Sequence, residues 1–207
     1  MSISTLQEYT RIAKYAKYLP EEKRRETWGE QVQRVFDMHR EKFKDIPEVH
    51  KYIDEAEIAV RRKEVLGSQR VLQFGGEPIF QHNARLYNCA FGHINRPRAF
   101  QELMYLLLCG SGVGFSVQGH HVAQLPPIRQ LQRGEKTFVV PDTIEGWADA
   151  IGVLVKSYFA RTHSAPGSPK YRGWRINFDY SLIRPAGAPL SSGSKAPGPD
   201  GLQRSLE

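Results

Sequence analysis

Phe100-Gln101-Glu102-Leu103-Met104-Tyr105-Leu106-Leu107-Leu108-Cys109-Gly110-Ser111-Gly112-Val113-Gly114-Phe115-Ser116-Val117 is the stretch that decides the fold. Behind Pro97, a residue suited to a first helical turn, Phe100, Leu103, Met104, Leu107 and Leu108 recur at the spacing of one helix face. That spacing stops at Gly110, and the apolar run Val113–Val117 follows, so the stretch reads as a helix, a glycine turn and a buried strand. The glycines let the backbone approach a ligand closely and present N–H groups to it, although a tight helix-to-strand turn needs them equally. No Lys-Ser/Thr follows them, and they lead into a strand rather than out of one, which excludes a Walker loop and a dinucleotide fingerprint.

Downstream, Asp142 with Glu145 three residues on predicts the cap of another helix, whose inward face is Trp147, Ile151, Leu154, Val155 and Tyr158. Residues 161–173 read as a polar loop, and Trp174 to Tyr180 alternates as a half-buried strand does. After Ile183-Arg184-Pro185 comes a Gly, Ser, Pro and Ala segment reaching Gly201, which composition alone reads as a linker or a loop. Leu202 to Glu207 resembles the first turns of a helix. Isolated helices are marginal below about 12 residues, so the expectation is that a continuation is missing or comes from another polypeptide.

Upstream, the first third reads as helices. One begins at Trp28 with Val32, Val35, Phe36, His39 and Phe43 on a single face, and another follows Pro47 with Tyr52, Ile53, Ala56 and Val60 inward. From Gly67 glycines, prolines and short apolar runs take over. The domains expected are therefore a helical one over 1–65 and a second over 66–207.

Of the net charge of +7, almost all lies beyond residue 65: residues 1–65 hold 14 Lys and Arg against 13 Asp and Glu, the other 142 hold 15 against 9. Excess cations beside glycine-rich loops suit an anionic ligand such as a nucleotide polyphosphate. No segment is dense in Lys and Arg with interleaved aromatics, so nucleic acid is not an expected partner. Nor does any apolar run approach the roughly 20 residues of a membrane span, and Met1 to Lys17 lacks a signal-peptide centre; a cytoplasmic protein without membrane association is expected. Two cysteines, Cys89 and Cys109, are too few for a disulfide framework or a four-cysteine zinc site, and no metal site is predicted. Each is a packed thiol or a chemical one.

Four motifs in order carry a resemblance. Tyr87-Asn88-Cys89-Ala90-Phe91, then Cys109 to Val117, then Pro141-Asp142-Thr143-Ile144-Glu145-Gly146-Trp147, then Phe178-Asp179-Tyr180-Ser181-Leu182-Ile183-Arg184-Pro185-Ala186-Gly187-Ala188 resemble the adenosylcobalamin-dependent (class II) ribonucleotide reductases, in particular the monomeric ribonucleoside-triphosphate reductase branch. The likeness runs over about residues 20–207. It implies an α/β fold in which an amino-terminal helical domain precedes the first part of a ten-stranded reductase barrel. Residues 118–182 would match an insertion that imitates a dimer contact in the monomeric branch.

The resemblance also implies roles. Cys89 would be one of two cysteines oxidised to a disulfide as ribose is reduced; a thiol suits this because exchange can recover it. Ser68, Asn88 and Gly112 would lie against the ribonucleotide substrate. Arg184 and Lys195, within the 184–201 loop, would help hold a deoxynucleotide effector, although Gly193 to Pro199 departs from the family's pattern there. The family's radical cysteine sits in a Cys-x-Glu setting that neither Cys89 nor Cys109 has. Its second redox cysteine, catalytic carboxylate and carboxy-terminal shuttle cysteines have no counterpart here either. The expectation is therefore a split reductase, inactive alone, whose finger loop and most adenosylcobalamin contacts come from a carboxy-terminal chain, with a thioredoxin-type reductant serving the complex. The alternative is a non-catalytic nucleotide-binding or regulatory protein derived from the same fold, and Cys89→Ser separates the two.

Overall fold

The computed structural model describes residues 3–131, 133–159, 169–190 and 195–207. They form two compact units, one running to Tyr87, the other from Asn88 to Pro189 with Lys195–Glu207. The first begins with α1 (Ile3–Lys14) and a short antiparallel hairpin, β1 (Tyr18–Leu19) and β2 (Arg24–Arg25). It continues with α2 (Trp28–Lys42), α3 (Pro47–Arg61), α4 (Gln69–Phe74), α5 (Glu77–Gln81) and a 3₁₀ turn, Asn83–Leu86.

Thr27 starts α2 through a capping box: its hydroxyl accepts from the Glu30 N–H at 3.3 Å, and the Glu30 carboxylate accepts from the Thr27 N–H at 2.7 Å. Arg24, first, and then Thr27 hold the Glu30 carboxyl well below the usual carboxylate range through hydrogen bonds. Val32, Val35 and Phe36 turn inward as their spacing predicts, and meet Ile53 and Val60 of α3 and Leu72 of α4. The expected face of α3 needs correction. Tyr52 and Ala56 are exposed, while Glu57 is buried. A buried carboxylate is tolerable only when its charge is met; Arg40 and Arg61 both bond it, Arg61 Nε at 2.7 Å. Because Leu72 belongs to this core, the unit extends beyond the change of composition near residue 65.

The second unit contains β3 (Cys89–His93), α6 (Arg98–Leu108), β4 (Gly112–Ser116), α7 (Gly119–Val122), β5 (Glu135–Val139), α8 (Ile144–Tyr158), β6 (Arg175–Asp179) and α9 (Asp200–Leu206). Among the described residues these strands make two parallel pairs, β3 with β4 and β5 with β6. Each pair is bridged by a helix, as parallel connection requires. The α/β class that the resemblance implies is thus present. The core is Val140, Ala150, Ile183, Leu202 and Leu206, with Phe138, Trp147, Ile151, Leu154 and Phe178 packed on it.

Helix α8 is buried on two sides. Its large side chains enter that core, while small ones line the flank toward α6: a Cβ on Gly152 would sit 2.5 Å from Gln101 Oε1. Tyr158, expected inward, is exposed. The cap also differs from expectation. Thr143, not Asp142, caps α8, accepting from the Gly146 N–H at 2.9 Å, because Asp142 is drawn to Arg184. Along β6 the alternation holds, with Arg175 and Asn177 exposed and Ile176 and Phe178 covered. The described parts of the tail are folded rather than linker-like: the chain turns at Gly187 (φ 86°), Ala196 is buried, and α9 inserts Leu202, 2% exposed. Among the described residues no helix is long and apolar enough to cross a membrane.

Candidate functional site

The glycine turn determines what β3 and β4 present. Helix α6 ends at Cys109, fully buried at 0% exposure, and Gly110 takes a left-handed conformation (φ 92°) that strongly favours glycine. The Gly110 and Ser111 N–H groups donate back to Leu107 and Leu106, so the chain reverses into β4 with its helix-end carbonyls satisfied. In the parallel register Cys89 lies opposite Gly112, Phe91 opposite Gly114 and His93 opposite Ser116. Since side chains alternate along a strand, Cys89, Phe91 and His93 share one face. All three are exposed, Phe91 by 68%, whereas Ala90 and Gly92 between them are partly covered, Gly92 beside Leu103 of α6. A buried strand was expected at 113–117. Instead Phe115 and Val117 are exposed.

Two of the expected substrate residues meet here. The Asn88 carbonyl accepts from the Gly112 N–H at 2.8 Å, immediately beside the exposed Cys89 thiol. Gly112 has no positive φ, and a Cβ there would meet only the Asn88 carbonyl at 3.6 Å, an ordinary contact. The backbone therefore does not demand glycine at 112; what its absent side chain leaves is open surface next to the thiol. Ser68 lies in the first unit, as the cap of α4, its hydroxyl accepting from the Arg70 N–H at 3.3 Å.

Of the expected effector residues, Arg184 donates to the Asp142 carboxylate and, at 3.4 Å, to the Pro189 carbonyl. Pro189 is the antiparallel bridge partner of Lys195, which is exposed. The two cations thus stand on one loop, closed on itself by Gly187 N–H to Ala196 carbonyl (2.9 Å) and Ala196 N–H to Ala188 carbonyl (2.7 Å). Gly193 and Ser194 of the same segment lie outside the described residues.

Sequence reasoning missed a histidine group at the far end of the same strands. His121 Nδ1 is 2.9 Å from Ser116 Oγ, and its ring lies 4.1 Å from that of His93 and 3.9 Å from that of His120, centroid to centroid. Lost hydration, then repulsion from His120 and His93, push the His121 pKa down. Positions 93 and 120–121 give no hint of this until the strands are paired. Among the described residues no group of three metal-binding side chains is arranged to hold an ion. Two cavities, about 480 Å³ beside α6 and α8 and about 430 Å³ beside α2 and α3, open among the described residues, and neither has room for a corrinoid.

The fold so built matches a solved structure of a B12-dependent (class II) ribonucleotide reductase, with a TM-score of 0.78 over 96% of this chain and 35% of that one, at 24% identity. The chain thus shares its fold with part of a class II reductase. By sequence, the chain is 33% identical over 135 residues to the adenosylcobalamin-dependent ribonucleoside-triphosphate reductase of Euglena gracilis, covering 60% of this chain and 17% of that protein. It is 26% identical over 251 positions to the enzyme of the same name from Lactobacillus helveticus, covering 89% of this chain and 33% of that protein. The chain is a homologue of these adenosylcobalamin-dependent reductases, as its four motifs imply, and spans a third or less of their length. The second alignment is longer than the chain's 207 residues, so that relative carries residues in this span with no counterpart here. No family model matches the chain.

Proposed function

We propose that this chain is part of a ribonucleotide reductase of the adenosylcobalamin-dependent class, supplying deoxyribonucleotides for DNA synthesis once a second polypeptide completes its barrel. The observation that carries the reading is the exposed Cys89 thiol, in register with a bare Gly112, on a parallel pair whose face is open. Parallel sheets are ordinarily covered on both faces and continued at their edges. Such a pair calls for further strands, and the reductase barrel, with its ten, would provide them.

In this reading the ribose lies over Gly112 beside Asn88, and Ser68 is a substrate contact that the family likeness implies. Cys89 and a cysteine of the completing chain together give two electrons and two protons; the 2′-hydroxyl leaves as water, and the two sulfurs end as a disulfide, which a thioredoxin-type reductant reopens. Adenosylcobalamin, held mainly by the completing chain, would supply the radical equivalent that starts the reaction. Cys89 is not the radical thiol, so the chain alone turns nothing over. Arg184 and Lys195 would hold effector phosphates, with Asp142 releasing Arg184 when they arrive.

Co-expression with the product of an adjacent reading frame, followed by a cobalamin-dependent assay of deoxynucleotide formation, tests this. Activity that needs both chains and is lost in Cys89→Ser supports it. A complex that forms yet works equally well with Cys89→Ser would make the chain a regulatory nucleotide-binding subunit instead.

A further inference from the structure

Helix α4 is only six residues long, far below the length at which a helix holds itself together. Its cap is Ser68. Four side chains from earlier in the first unit grip it at both ends. At the start, the Tyr15 hydroxyl donates to Gln69 Oε1 at 2.6 Å. At the end, Leu72 and Gly75 offer carbonyls that no further turn of helix can use. The Leu72 carbonyl accepts from Gln31 Nε2 at 3.3 Å and Arg34 Nη2 at 2.9 Å; the Gly75 carbonyl accepts from Arg34 Nη1 and Lys17 Nζ, each at 2.9 Å. Cations are favoured at this end of a helix.

Arg34 is itself fixed. Buried Glu26 takes its Nε at 2.6 Å and Nη2 at 2.9 Å, and also accepts from the Lys17 N–H at 2.9 Å. A Cβ on Gly75 would come within 2.7 Å of the Val71 carbonyl and 3.0 Å of Arg34 Nη1, so the guanidinium packs directly on the turn. Burying a charged pair gains little stability over an apolar pair of the same shape, whereas removing one partner of such a pair is strongly destabilising.

We propose that Tyr15, Lys17, Gln31 and Arg34, with Glu26 behind Arg34, are positioning residues that set where α4 lies and thereby where Ser68 meets the ribonucleotide. This rests on the proposed substrate contact of Ser68. None of the five touches substrate in this scheme.

Hydrogen exchange on the full chain tests the grip itself. In Arg34→Met and Lys17→Met the amides of residues 70–74 should exchange about tenfold faster, while those of Val32 to Met38 keep their rates, and Lys17→Arg should restore slow exchange. Tyr15→Phe, which loses a single hydroxyl, serves if Arg34→Met fails to fold. In the two-chain enzyme, Lys17→Met should raise KM about fivefold at unchanged kcat, and adding Ser68→Ala should raise it no further, since coupled residues act non-additively. Unchanged exchange in α4 overturns the proposal, as do KM effects of Lys17→Met and Ser68→Ala that simply multiply. If Ser68→Ala alone leaves KM unchanged, the substrate reading of Ser68 fails, and the exchange rates still decide whether the side chains hold the helix.

Discussion

Native-state alkylation should distinguish the two cysteines sharply. Cys89 begins an open strand, whereas Cys109 has 0% exposure where α6 turns into β4. For a reagent to reach Cys109, the last turn of α6 must open, which breaks its own N–H bond to Tyr105 and the Gly110 and Ser111 bonds to Leu107 and Leu106. Local openings of packed helix ends cost a few kcal/mol. An opening of about 3 kcal/mol, at about 1.4 kcal/mol per factor of ten, leaves Cys109 labelled roughly 100-fold more slowly than Cys89. The assay is iodoacetamide at limiting concentration with mass spectrometry of the two cysteine peptides over time, and a denatured control in which the rates converge. Equal rates in the native chain, or Cys109 reacting first, would refute the packing of the turn and remove the basis for choosing Cys89 as the chemical thiol.

Three further outcomes are expected. Gly112→Ala should leave thermal unfolding of the chain almost unchanged, within about 0.5 kcal/mol, because the added methyl meets only an ordinary contact; the same substitution should lower turnover in the proposed two-chain enzyme by filling the space beside Cys89. Leu202→Ala should cost about 2–5 kcal/mol in denaturant unfolding, since a nearly fully buried anchor of α9 leaves a cavity against Val140 and Ile183. Burial first, then repulsion by Arg34, lowers the Lys17 pKa from 10.5 to about 8. Between those values the unfolded chain binds the proton that the folded one has released, so this group makes stability rise with pH from about 8 to 10.5. Discounted for partial exposure, the rise is on the order of 1 kcal/mol, and Lys17→Met should abolish it in urea titrations at pH 7.5 and 10.

Much of this architecture is legible along the chain because local periodicity and burial agree. The stripe Val32, Val35 and Phe36, the break at Gly110 and the alternation from Trp174 to Phe178 all stand where their spacing puts them. The failures have a common origin in partners distant in sequence. Asp142 has the right chemistry for a cap, but Arg184, 42 residues on, competes for it. On α3, Glu57 is buried against Arg40 and Arg61, both from outside its sequence neighbourhood or a full turn away, while Tyr52, placed inward by spacing, is exposed. Strand β5 escapes notice because Glu135 and Lys136 disguise a five-residue element whose pattern is completed only by β6. The candidate site shows the same division. Motifs identify Cys89 and Gly112, but only the parallel register puts them side by side, and the same register brings His93 to His121.

The two-strand ribbon of β3 and β4 also bears on how such a chain is made. Its outer rims, among the described residues, carry backbone groups with no neighbouring strand, and its uncovered side displays Phe91. Rims of that kind are adhesive toward any extended peptide, including a second ribbon of the same sort. In the proposed two-chain enzyme, synthesis in step with the strands that cover the ribbon would keep it dispersed, and a surplus of the uncovered ribbon would gather into insoluble, strand-paired material.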